Sequence, residues 1–330
     1  MGNGPAHSAA APLAGIARLA AESPQVRERA EVNFFALPTR SVLNKESSRR
    51  LPFAWTINPY RGCEFGCKYC YARYTHEFME LRDGLDFERK IYAKVGAPEI
   101  LRAELRKARD KGLPLALGTA TDPYQPAEQQ FKITRQMLEV FAEFEGIHFS
   151  ITTKSVLILR DLDLLKAISA KHRLGVHITV TTTDSRLARL LEPKAPPPAR
   201  RLAAVGRLVR EGIYAGVNVM PVLPGLTDSS SALEGLARQA AQAGAKFFRG
   251  SSLFLMPSAM RQFMPFLRRE FPQLTRQYEK MYGQSAYASR EYQSGIAQRI
   301  AELSARHGLN HARPDVPPAS QRAQLSLHYD

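Results

Sequence analysis

Short apolar runs rich in β-branched and aromatic residues recur along the middle of the chain. They read FAWTI (53–57), LPLALGTA (113–120), IHFSITT (147–153), GVHITVTT (175–182), YAGVNVMPVL (214–223) and KFFRGSSLFL (246–255). Between and after them, apolar positions repeat every three to four residues over 98–111, 127–145, 159–170, 185–192, 199–212 and 231–243. The first pattern predicts strands and the second helices. Parallel neighbours need a long return connection, so the alternation predicts an α/β fold of parallel strands with crossover helices. Six such units suffice for an open, partly closed barrel.

In that architecture functional groups gather where strands end. The segments following the proposed strands read NPYRGCEFGCKYC, TDPYQPAE, KSVL, TDSR and PGLTD, rich in Gly, Pro, Asp, Thr and Cys. All are expected to open onto one face. Residues 1–30 read as a disordered, Ala-rich lead-in, 31–260 as the core barrel, 261–312 as a C-terminal helical extension and 313–330 as a flexible, Pro-containing tail. The chain contains no internal repeat.

Composition narrows the class. The 330 residues are 44% hydrophobic, as in a globular chain, and no run of eighteen apolar residues predicts a membrane span. Arg18 interrupts the only stretch resembling a signal-peptide core, and Ala6 stands where myristoylation requires Ser or Thr. A cytoplasmic protein is expected. The net charge of +15 would draw phosphates or other anions. The basic residues are scattered, with Arg61, Lys68 and Arg73 near the cysteines, and form no dense stripe of the kind a groove reader carries.

All three cysteines lie in RGCEFGCKYC, as Cys63, Cys67 and Cys70 with the spacing C-x3-C-x2-C. Three thiols in one loop cannot staple distant segments, which argues against a disulfide framework and for a soft metal centre. Gly62 and Gly66 permit the sharp turns such a loop needs. Zinc normally takes four protein ligands, and His76 is the nearest candidate for a fourth. A cubane iron–sulfur cluster also normally takes four cysteines. Three would leave one iron open to substrate or cofactor, which is the favoured reading.

The stretch CEFGCKYCY resembles the signature of the radical S-adenosylmethionine (radical SAM) superfamily. The resemblance implies a partial (β/α)6 TIM-like barrel, a [4Fe–4S] cluster on Cys63, Cys67 and Cys70, and SAM chelated to the free iron. It also implies reductive cleavage of SAM to a 5′-deoxyadenosyl radical that abstracts hydrogen, with flavodoxin or ferredoxin as electron donor. With GTATDPYQPAE and PVLPGLTD, the wider stretch NPYRGCEFGCKYCYAR is similar to a bacterial group related to spore photoproduct lyase, which reverses a thymine dimer in DNA. That lyase uses a further cysteine to return hydrogen to its product, and this chain has no cysteine to spare. Tyr124 is the candidate substitute, and repair of spore photoproduct itself is not expected. The substrate expectation is nucleic acid. Its competitors are a small metabolite or peptide, and a non-catalytic iron–sulfur or zinc binding module.

The same resemblance assigns cofactor contacts. Tyr69, just before the last cysteine, would pack by the adenine. Thr119, Thr121 and Asp122 stand where relatives receive the SAM ammonium, although Asp122 before Pro123 also suits a plain turn. Lys154 would meet the SAM carboxylate or ribose, and Thr181 or Thr183 the ribose hydroxyls or the carboxylate. Arg201 would reach the carboxylate, with Arg200 beside it as the rival. Val219 and Met220 would shape the adenine pocket or simply fill the core. Asp184 reads as a helix cap, and His148 and His177 as satisfied strand residues.

Overall fold

The computed structural model describes residues 13–47, 51–108 and 114–314. Parts of the expected lead-in (1–12), of the tail (315–330), of the helix 98–111 and of the strand 113–120 lie outside the described residues.

Eleven strands form two sheets among the described residues. β1 (Gln25–Arg29), β2 (Val32–Ala36), β5 (Tyr60–Arg61) and β6 (Lys90–Ala93) make the smaller one, in the order β1-β2-β6-β5. The larger sheet contains β3 (Asn44–Lys45), β4 (Trp55–Ile57), β7 (Leu115–Leu117), β8 (His148–Thr153), β9 (Arg173–Thr179), β10 (Ala215–Val222) and β11 (Phe248–Ser252), with the order β11-β10-β9-β8-β7-β4-β3. From β4 to β11 every pairing is parallel, and β3 adds an antiparallel edge. The six strands expected from pattern are therefore these six parallel ones, five of them trimmed at their ends and β9 shifted to start at Arg173.

Helices α1 (Gly15–Glu22), α2 (Ala97–Ala108), α3 (Ile133–Ala142), α4 (Leu162–Lys171), α5 (Ser185–Leu191), α6 (Pro198–Arg210) and α7 (Ser230–Gln242) precede or connect the strands. Beyond β11 come α8 (Pro257–Glu270), α9 (Thr275–Tyr282) and α10 (Arg290–Arg306). Strand burial alternates as the two-residue pleat requires. In β8, Phe149 and Ile151 are buried while His148, Ser150 and Thr152 are half-buried. The buried set meets the helices: Phe141 of α3 stacks on Phe149 at 4.4 Å, and Ile168, Val205 and Leu208 join the same core.

Three expectations change. Residues 15–29, expected to be disordered, carry α1 and β1, because Ala20 packs with Leu37, Met79 and Tyr92, a surface supplied from later in the chain. The helix expected over 127–145 breaks where Lys132 takes a left-handed φ of 52°. Arg313, placed in the loose tail, is fixed by donating from Nη1 to the Arg173 carbonyl at 3.0 Å.

A buried ionic network locks the loops at one end of the sheet. The fully buried Glu128 accepts from Tyr60, from the Thr134 amide at 2.9 Å and from Arg160 Nη2 at 2.8 Å. Arg160 Nε also donates to buried Asp161 at 2.8 Å, where Arg135 Nη1 donates at the same distance. Arg160→Met removes the only cation paired with Glu128 among the described residues and leaves that buried carboxylate without a counter-charge. A stability loss of about 3 kcal/mol is expected in urea denaturation; a loss within experimental error would contradict this role.

Candidate functional site

The cysteine loop leaves β5 through Gly62 and passes Gly66, both with left-handed φ, at +82° and +64°. A Cβ on Gly62 would stand 2.8 Å from the Lys90 carbonyl oxygen and 2.9 Å from that of Phe87, so the turn requires glycine. The loop is anchored by its backbone: Cys63 N donates to Phe87 O at 2.8 Å, Lys68 N to Leu191 O at 2.9 Å, and Cys70 N to Cys67 O at 3.2 Å. The buried Arg73 donates to Cys67 O at 3.1 Å and to Gly84 O at 2.6 Å, and lies 3.7 Å from Glu88. All three cysteines are free, with Cys63 and Cys67 buried and Cys70 half-buried. Burial holds the Cys63 thiol well above its ordinary value, with Asp122 and Cys67 adding to the effect. The Cys67 thiol is pushed up to about 12, again mainly by burial. A thiolate set in these surroundings needs a cation.

Loops after β7, β8 and β9 converge on the cysteine loop. Thr121 Oγ1 and Gln125 Nε2 both donate to the Gly62 carbonyl, at 2.6 and 3.1 Å, while Gln125 Oε1 accepts from Glu64 N at 2.9 Å. Asp122 accepts from Thr153 Oγ1 at 2.6 Å, Lys154 N at 2.7 Å and Tyr124 N at 2.9 Å. It is a turn-forming group with its oxygens already engaged. Thr119 Oγ1 accepts from Asn58 Nδ2 at 3.2 Å. The Lys154 ammonium stands 5.7 Å from the centre of the Tyr69 ring. Burial opposes its charge, but Cys67 and Glu192 more than offset this and hold its pKa above the ordinary value.

Sequence reasoning missed the group that joins these parts. Glu192 follows α5 and is buried; its Oε1 accepts from the Tyr69 hydroxyl and from Thr181 Oγ1 at 3.2 Å. Its Oε2 lies 2.6 Å from Arg201 Nη1. Arg201 is 1% exposed and donates to the Pro196 carbonyl from Nε at 2.6 Å and to that of Thr179 from Nη1 at 3.1 Å. Arg201 points inward, whereas Arg200 is exposed. Its Nε and Nη1 are engaged by protein acceptors. A glutamate at a helix end before proline carries no signal of this in the sequence.

Several expected residues stand apart. Tyr124 is fully buried in the core, its hydroxyl in the field of Asp161 and Glu128. Thr183 is half-buried and outside the Glu192 network. Asp184 caps α5 by accepting from Arg186 N at 2.8 Å and Leu187 N at 3.0 Å, as expected. Val219 is buried in the core, while Met220 is 38% exposed. His76, the candidate fourth zinc ligand, turns Nε2 to the Lys90 carbonyl at 3.0 Å. Among the described residues no three His, Cys, Asp or Glu side chains converge as on a single metal ion.

The site's donor set suits a cluster wider than one ion: three free thiols on glycine turns, in one apolar cluster with Phe65, Leu223, Leu253 and Leu255. A radical SAM superfamily model matches residues 57–234. An uncharacterized protein of Mycobacterium bovis is 34% identical over 90% of this chain and 87% of its own. The radical SAM Nalpha-GlyT isomerase of Pseudomonas phage M6 is 29% identical over 56% of this chain and 37% of its own. In fold, the chain is similar to a mutant spore photoproduct lyase solved with bound AdoMet and dinucleoside spore photoproduct. That likeness has a TM-score of 0.61 at 17% identity, and covers 84% of this chain and 81% of the other.

His76 gives the site a pH signature. Burial lowers its pKa from 6.5 to about 4, and Nδ1, where a second proton would sit, is buried without a partner among the described residues. The unfolded chain therefore binds more protons than the folded one between those values, so stability falls on acidification across that window. A loss of about 3 kcal/mol is expected for the metal-free protein from this group. Urea titrations should show the slope, and His76→Phe should flatten it; an unchanged slope would rule the assignment out.

Proposed function

The chain belongs to the radical SAM superfamily, and on that premise we propose that Cys63, Cys67 and Cys70 hold a [4Fe–4S] cluster at which SAM is reductively cleaved. The carrying observation is the free, glycine-turned trio of thiols, on whose loop the segments after parallel strands β7, β8 and β9 converge, with the Lys154 ammonium beside it. When bound, the cluster and SAM together supply a 5′-deoxyadenosyl radical for hydrogen abstraction. The protein's residues bind, orient and exclude water. We read the six parallel strands as a partial barrel around this site, with residues 31–260 as its core and 261–312 as an extension.

Tyr69 offers its ring to the adenine while its hydroxyl is held by Glu192. Lys154 is the cation placed for the SAM carboxylate. Thr183 is available for the ribose, whereas Thr119, Thr121, Asp122 and Thr181 are engaged within the protein and shape the loops around it. A small one-electron donor such as flavodoxin or ferredoxin completes the system.

The substrate we favour is nucleic acid. Opposite the helix-covered side, the larger sheet presents half-buried or exposed polar residues, among them His148, Ser150, Thr152, His177 and Arg249. Hydrogen-bonding groups and the Arg249 guanidinium on one face, with a net charge of +15, suit a polar anion. The similar lyase was solved with a dinucleoside, which supports the same class.

Anaerobically reconstituted protein should carry about four irons per chain and, with dithionite and SAM, release 5′-deoxyadenosine. Cys70→Ala should abolish the release. Protein that binds zinc instead and releases none would overturn the reading. If two phosphates are neutralised on binding, DNA or RNA affinity should fall about tenfold between about 50 and 200 mM salt. Binding that ignores salt, or none at all, would remove the nucleic-acid assignment and leave the cluster chemistry standing.

A further inference from the structure

Glu192 joins four separate segments through one carboxylate. Tyr69 brings the cysteine loop and Thr181 the segment after β9. Arg201 brings α6, and its donation to Pro196 O ties in the turn after α5. Backbone bonds run alongside, from Lys68 N to Leu191 O at 2.9 Å and from Lys194 N to Phe65 O at 3.3 Å. The connection from α5 to α6 is thus clamped onto the cysteine loop at three points.

The carboxylate has two effects at distinguishable places. Its pairing with Arg201 keeps that guanidinium folded inward against Thr179 O and Pro196 O. Its acceptance of the Tyr69 hydroxyl fixes the far end of a ring whose near end is set by the backbone between Cys67 and Cys70. A tyrosine ring held at both ends cannot swing. The Lys154 ammonium stands 5.7 Å from the centre of that ring, so holding the ring also holds the surface on which the ammonium packs.

We propose that Glu192 is a positioning residue for cofactor binding: through the Tyr69 hydroxyl it fixes the ring against which SAM packs, and by holding Arg201 it leaves Lys154 as the cation facing SAM. This deepens the reading of the site as a SAM site and rests on it. Glu192 touches neither the cluster nor SAM and acts through Tyr69 and Arg201.

The test uses the reconstituted full chain and four proteins: wild type, Tyr69→Phe, Glu192→Gln and the double variant. Tyr69→Phe removes only the hydroxyl, so it keeps the proposal testable if Glu192→Gln folds poorly. Iron content and thermal melting are recorded first. SAM affinity is then measured by equilibrium binding, alongside the change SAM produces in the electron paramagnetic resonance spectrum of the reduced cluster. Tyr69→Phe is expected to keep wild-type iron and to bind SAM about tenfold more weakly, the loss of one buried hydrogen bond. Glu192→Gln should weaken SAM at least as much. The double variant should be no weaker than Glu192→Gln alone, because the Tyr69 hydroxyl acts only through Glu192. Both variants should also broaden the SAM-induced spectrum. Wild-type SAM affinity in Tyr69→Phe and Glu192→Gln, with only melting lowered, would show a purely structural carboxylate and overturn the proposal. Additive losses in the double variant would overturn it as well. Failure of the wild-type protein itself to bind SAM would instead defeat the underlying assignment, and is read before any variant is compared.

Discussion

A carboxylate in apolar surroundings is unfavourable unless cations and hydrogen-bond donors surround it. Glu192 is buried, yet Arg201 and Lys154 hold its pKa below the ordinary value against the effect of burial. The compensation works in both directions. Arg201, equally buried, relies on Glu192, and Lys154 keeps its charge beside the thiols partly because Glu192 is there. Take the carboxylate away and two cations are left within one poorly hydrated pocket, opposite a tyrosine with no acceptor. The order of the cysteine loop, the segment after β9 and the turn after α5 all depend on this one group.

The smaller sheet supplies the other half of the support. The chain leaves β4, crosses into β5, runs through the cysteines and returns in β6 before entering β7. The loop is therefore held between two sheets instead of hanging from one. β5 pairs with β6, and β6 with β2, so the hairpin of β1 and β2 is coupled to the thiols by backbone hydrogen bonds. Arg29, on β1, reinforces the coupling by pairing with Glu64 inside the cysteine motif. Both sheets contribute to the burial and rigidity of the thiol loop.

Two groups with similar chemistry have been given different tasks. Lys154 and Arg201 are both cations near the thiols, but only Lys154 has its charged end over the Tyr69 ring. Asp122 and Glu192 are both buried carboxylates. Asp122 is saturated by three donors and shapes a turn, whereas Glu192 bridges loops that are distant in sequence. Residue type alone does not separate these roles; the direction in which each side chain leaves the backbone does.

The sequence by itself determined the six parallel strands, because a strand buried on its helix side announces itself as a short apolar run. It also determined the three thiols, whose spacing and flanking glycines are local properties of one loop. The cap at Asp184 was legible for the same reason. Tertiary structure alone decided the rest. The hairpin of β1 and β2 has ordinary composition and becomes a strand pair only by joining β6, more than fifty residues on. Arg201 read as a ligand because its position along the chain fits one; its partner Glu192 lies nine residues away on another element, and only folding turns the two toward each other. Spacing reports which side chains share a local face, whereas a contact between segments depends on how those faces pack, which the linear pattern does not contain.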